Sequence, residues 1–128
     1  MAGQGEQAGV KGTAVDALIP VPSGQDVQFV DLIRSDPGPD GLTLRFRFVA
    51  PAIARDGGTV DADTAQVDML ALCNDYALPR LPTPGPVPSQ IIIVLSDRDV
   101  PFGDTAPEAT QYFEAYSFAD GVCTWEPF

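Results

Sequence analysis

Leu42 to Val49 carries the clearest pattern in the chain. Leu42, Leu44, Phe46 and Phe48 alternate with Thr43, Arg45 and Arg47. A period of two means a strand with one apolar face and one polar face. The two arginines on the polar face are either solvated or paired with acidic residues on neighbouring strands. Gln28 to Arg34 reads as a short strand before it. The breakers of Asp36-Pro-Gly-Pro-Asp-Gly41 predict a turn between the two. Gln90 to Ser96 is continuous and β-branched. It predicts a central strand covered on both faces, or a core strand under a helix. Thr110 to Phe118 is aromatic and strand-like, and Val122 to Glu126 is a last strand. Asp120-Gly121 between them is a strong signal for a two-residue hairpin turn.

The period changes between these strands. Ala65, Met69, Leu72, Cys73 and Tyr76 recur at helical spacing, and Val67 and Leu70 are read as widening the same stripe. Thr59 or Asp61 can cap the helix, Asp63 with Gln66 resembles a capping box, and Pro79 ends it. Cys73 falls on the buried face, where a disulfide to the sheet would start. Pro79 to Gln90 holds five prolines. It is a stiff polyproline connector, with a PxxP docking ligand as the sharper alternative. Residues 1–16 are Gly, Gln and Ala without periodicity and read as a disordered tail. Pro22-Ser23-Gly24 marks a turn at the entry to a single domain over 17–128. The order is β-β-α-β-β-β. The expected fold is α+β, with one sheet of about five mostly antiparallel strands and one helix on a face. The connectors around the helix allow the strand after it to run in either direction.

Composition narrows the function. The chain has 128 residues and a net charge of −11, from 18 acidic against 7 basic residues. That charge argues against nucleic acid and against an anionic membrane surface. No apolar run approaches the roughly 18 residues of a membrane helix, and no membrane insertion is expected. With no histidine, His-based acid–base chemistry and His-ligated metals drop out. There is no GxSxG elbow and no phosphate-cradling glycine motif. The one lysine, Lys11, lies in the tail, far from any serine dyad. The two cysteines form no CxxC pair, and their number fits one disulfide or two buried thiols equally well. The first nine residues are small and polar, and no export signal is expected among them.

Carboxylates are the remaining chemistry. Asp97, Asp99 and Asp104 crowd the loop after the β-branched strand, and a hard cation could use their oxygens. The spacing matches no EF-hand, and no metal or cofactor is assigned. The same loop offers Asp97, Arg98, Asp99 and Phe102 as a candidate binding surface on a rigid sheet. Against this, Arg98 could bridge to Asp97 or Asp99 while Phe102 plugs the core. Trp125 is either a core or rim aromatic or an interface anchor.

Four stretches together resemble an uncharacterised, mostly alphaproteobacterial family of small exported proteins, a domain of unknown function. They are Arg45 to Ile53 (RFRFVAPAI), Gly58 to Cys73 (GTVDADTAQVDMLALC), Pro88 to Gly103 (PSQIIIVLSDRDVPFG) and Thr110 to Trp125 (TQYFEAYSFADGVCTW). The resemblance implies export to the periplasm and hence a Cys73–Cys123 disulfide. It brings no activity and no catalytic residues. The expectation is a small acidic periplasmic domain that acts by binding, as an accessory to another envelope protein and without catalysis. The alternative is a ligand- or Ca²⁺-binding module, or a minor hydrolase, using Asp97, Arg98 and Asp99.

Overall fold

Alternation along the strands builds one sheet in the order β1-β2-β3-β4-β5. The computed structural model describes residues 18–38, 41–81, 88–101 and 106–126. The expected tail, the middle of the proline-rich connector, and Phe102 and Asp104 lie outside them. The strands are β1 (Gln28–Gly38), β2 (Gly41–Val49), β3 (Gln90–Ser96), β4 (Gln111–Ala119) and β5 (Val122–Glu126). The pairs β1–β2, β3–β4 and β4–β5 are antiparallel. The pair β2–β3 is parallel, with Phe46 opposite Ile93. A parallel neighbour needs a crossover, and helix α1 (Ala62–Leu72) supplies it. The mixed sheet with one helix on a face is the architecture that the patterning predicts.

β1 runs further than expected, through Asp36 and Pro37 to Gly38, which pairs with Gly41. β1 is an edge strand, where proline is tolerated because one side of the backbone has no ladder to complete. The last turn follows expectation. Asp120 and Gly121 both have positive φ, at 55° and 77°, as a two-residue hairpin of this class requires.

The core fills one face. Leu44, Phe46 and Phe48 of β2, Ile91, Ile93 and Leu95 of β3 and Tyr116 of β4 are buried against Ala65, Met69, Leu72 and Cys73 of the helical segment. Phe29, Phe48 and Tyr76 form an aromatic group at its edge, with ring centroids 5.2 to 5.7 Å apart. The opposite face carries the arginines of β2. Arg47 donates from Nε and Nη2 to the two carboxylate oxygens of Asp31, both at 2.7 Å, across the β1–β2 register. Its Nη1 reaches the Val100 carbonyl at 2.6 Å. Of the two readings, Arg47 takes the paired one. The Asp31 hydrogen bonds raise its pKa.

The helix takes one of its two expected caps and departs from the sequence reading elsewhere. Asp61 is the cap and accepts from the Thr64 N–H at 2.9 Å. Gln66 turns away from any capping box and reaches Glu114. Val67 and Leu70 do not extend the buried stripe: they are 56% and 38% exposed. Asp68 is instead fully buried on the helix flank. Its carboxylate accepts from Ser23 N–H, Ser23 Oγ and Gln25 Nε2, which clasps the entry segment to α1. The regular helix ends at Leu72. A wider π turn over Cys73–Ala77 and a 3-10 turn over Leu78–Arg80 carry the chain past Pro79.

Candidate functional site

Cys73 and Cys123 form a disulfide, with Cα atoms 6.2 Å apart. It joins the end of α1 to β5, an edge strand. The π turn also sets the Asn74 Oδ1 to accept the Cys123 N–H at 2.8 Å. The hairpin register explains that contact. Cys123 sits two ladder positions from Trp125, and residues at that spacing in an edge strand turn their N–H groups the same way. Asn74 therefore covers part of the outer edge of β5, which would otherwise be a template for strand pairing.

A groove of about 240 Å³ opens between α1 and the last hairpin. Asp63, Gln66, Val67 and Leu70 form the helical wall, one turn apart along a single flank. Glu114, Tyr116 and Trp125 form the sheet wall. Tyr116 is buried in the floor, while Trp125 is 52% exposed. The indole is not loose. Its Nε1–H donates to Glu114 Oε1 at 2.6 Å, and Gln66 Nε2 donates to the other carboxylate oxygen at 3.4 Å. The edge of the ring is fixed by a charge-assisted bond. Burial, followed by the neighbouring Glu114 charge, drives the Tyr116 phenol pKa well above its ordinary value.

A second cleft, about 570 Å³, lies at the carboxyl end of the parallel pair β2–β3. It is lined by Arg55, Thr59, Asp61, Thr110 and Tyr112, among others. This is where open sheets with crossovers commonly hold ligands. Here the charged lining groups are engaged within the chain. Arg55 Nη2 donates to the Ala109 carbonyl at 2.8 Å, its N–H donates to Thr110 Oγ1, and Asp61 caps the helix.

The loop singled out from the sequence adjoins that cleft. Asp97 is buried and accepts from Arg98 Nε and Nη2 at 3.0 and 3.1 Å and from the Thr110 N–H at 3.2 Å. The Arg98 bonds, with the Thr110 N–H adding to them, hold the Asp97 carboxyl below the usual carboxylate range. Arg98 and Asp99 are exposed. The structure thus separates the candidates: Asp97, Arg98 and Asp99 lie beyond β3, and Trp125 lies across the helix. No group of three or more Cys, Asp or Glu side chains with metal-holding geometry occurs among the described residues.

Sequence reasoning missed Val67, Leu70, Asp63 and Glu114 as parts of one groove, the first three on its helical wall and Glu114 on its sheet wall. The signal was present: a helix with apolar residues at 65, 67, 69, 70 and 72 exceeds what one buried face needs.

A family model matches residues 2–128, and its description is a family of unknown function (DUF6497). No curated protein and no solved structure matches the chain.

Proposed function

Because the chain belongs to this family of unknown function, no relative supplies an activity, and we propose from its own surface that it is a small periplasmic binding domain. It acts as an accessory to another envelope protein and docks through the groove between α1 and β5. The observation that carries this reading is the arrangement of Trp125, Val67 and Leu70. Three large apolar side chains are exposed on facing walls. An aromatic fixed in a small depression is the usual form of an interface anchor. The volume also favours a side chain over a cofactor: small-molecule sites run to roughly 300–1,000 Å³, and this groove is smaller.

Export is part of the same proposal, together with the largely alphaproteobacterial distribution that the resemblance implies. The Cys73–Cys123 bond supports it, because disulfides persist in oxidising compartments. The test is a photo-crosslinking amino acid at Val67, with the exposed Asp56 as the control position, in intact cells of the native host. A discrete adduct at Val67 and none at Asp56 is expected. Equal or absent adducts at both would remove the groove from the function. The ligand- or Ca²⁺-binding reading of the Asp97–Asp99 loop predicts that millimolar Ca²⁺ raises the melting midpoint, by mass action. It also predicts that Asp97→Asn/Asp99→Asn abolishes the rise.

A further inference from the structure

We infer that the groove takes a basic amphipathic segment of a partner protein: a lysine or arginine side chain set over the Trp125 indole between Glu114 and Asp63, and an aliphatic side chain seated on Val67 and Leu70. This inference rests on the reading of the groove as the binding surface and adds the chemistry of what enters it.

Charge selects the occupant. Seven residues line the groove, and the two that carry charge, Asp63 and Glu114, are both acidic. The whole chain is at −11. A second copy would bring another −11 to the interface, and Asn74 already occupies part of the β5 edge that a copy would need for strand pairing. An acidic or phosphorylated segment would meet like charge, which is costly at an interface. A cationic segment meets opposite charge at short range and is steered toward it at long range.

The aromatic wall selects further. The indole edge is committed to Glu114, so the ring face is the part left for a partner. A cation over an indole face is the strongest of the cation–π pairings, and a carboxylate beside the ring adds to it. On the opposite wall, Val67 and Leu70 offer an apolar step three residues long on one helix flank. The partner therefore needs one cation and one aliphatic group, within reach of each other along one segment.

The chain has a single tryptophan, so tryptophan emission, excited at the red edge where the tyrosines do not absorb, reports on this groove. The probe is an amphipathic lysine–leucine peptide, KLKKLLKKLK, with glutamate and glutamine counterparts in place of lysine, at physiological ionic strength. The lysine peptide is expected to shift Trp125 emission saturably, and the glutamate peptide to leave it unchanged. Asp63→Asn/Glu114→Gln should weaken the lysine peptide about tenfold or more and leave the glutamine peptide unaffected. Val67→Ser/Leu70→Ser should weaken both. Circular dichroism and the melting midpoint check that each variant folds.

Equal binding of glutamine and lysine peptides would overturn the charge selection while leaving the groove as a binding surface. Lysine-peptide binding that leaves Trp125 unmoved, or that is equal in both variants, would mean diffuse attraction to an acidic protein and would overturn the inference. An emission shift with the protein's own concentration would put a second copy in the groove and would overturn it too. Absence of any shift with all three peptides would also overturn the inference, and the Val67 crosslink then decides separately whether the groove is a docking surface.

Discussion

Removing the disulfide gives the prediction with the most direct arithmetic. Cys73 and Cys123 are 50 residues apart in sequence. The loop that they close contains the end of the helical segment, the proline-rich connector, β3 and β4. In the chain-entropy account, closing a loop of that length removes about 14 cal/mol/K from the unfolded ensemble, or about 4 kcal/mol near 25 °C. A domain of this size is stable by roughly 5–15 kcal/mol in total. The variant Cys73→Ala/Cys123→Ala should therefore lose about 4 kcal/mol. At a few degrees per kcal/mol, the melting midpoint should fall by roughly 12–20 °C. Urea titration is the better assay, because it separates two causes. If the bond acts on the unfolded chain, the variant's denatured state is more open, and its m-value should rise along with the fall in midpoint. A loss under about 1 kcal/mol with an unchanged m-value would refute the reasoning. It would mean that the unfolded chain is already confined around these residues.

Four further outcomes follow from single groups. Asp68→Ala removes the buried carboxylate that accepts two hydrogen bonds from the exposed Ser23 and one from the half-buried Gln25 amide. It should cost roughly 2–4 kcal/mol by denaturant titration, with Asp68→Asn losing about half as much. Gly58→Ala would set a Cβ 2.6 Å from the Ala52 carbonyl oxygen and closer still to that of Ala54. The Ala52 carbonyl already accepts from Thr59 and Val60, so the backbone cannot yield, and a loss of roughly 2–3 kcal/mol is expected. Tyr116 has a raised folded pKa, from burial and then Glu114. Its neutral form is favoured in the fold, so its contribution holds below about pH 10 and is lost as pH climbs above that. Phenolate absorbance should show a late step that disappears in Tyr116→Phe. Asp97 is depressed, first by Arg98 and then, opposed by burial, by the Thr110 N–H. Its contribution is present above about pH 3.9 and fades as pH falls below, and Asp97→Asn should flatten that part of the acid-unfolding curve.

The strands were legible where one cause set them. Alternation fixed β2, a β-branched run fixed β3, and Asp120-Gly121 placed the last turn, because each is a local preference that the fold leaves unopposed. The β1–β2 turn falls within the predicted stretch, but β1 runs further than expected, because Asp36 and Pro37 sit in a register shift between Ser35 and Gly38 on an edge strand, where a proline interrupts no regular ladder pair. The direction of β3 was not legible, since connectors of that length serve either sense. Val67 and Leu70 failed for a different reason. Periodicity says which residues share a face and not which of two adjacent faces the sheet will cover. Asp68 shows the choice being made. The helix turns this carboxylate, and not Val67, toward the protein, because Ser23 and Gln25 arrive with donors for it. Nothing local to residues 62–72 announces those partners.

That choice bears on the groove. Rolling α1 about its axis to bury Val67 and Leu70 would expose Met69 or Leu72 and pull Asp68 from its clasp. Two fixed points prevent the roll: the Asp68 clasp on one flank and the Cys73–Cys123 bond at the helix end. The second of these also joins the two walls of the groove, since Cys73 follows α1 directly and Cys123 lies two residues before Trp125. The apolar groove is thus the residue of constraints that act elsewhere in the fold, and it stays open because the helix cannot turn to close it. Loosening either point should change the groove before it changes the sheet. In the double cysteine variant below its melting transition, Trp125 emission should shift to the red while the far-ultraviolet dichroism of the sheet is kept. An unshifted indole would mean that the Glu114 bond and the β4–β5 ladder hold this wall without help from the disulfide.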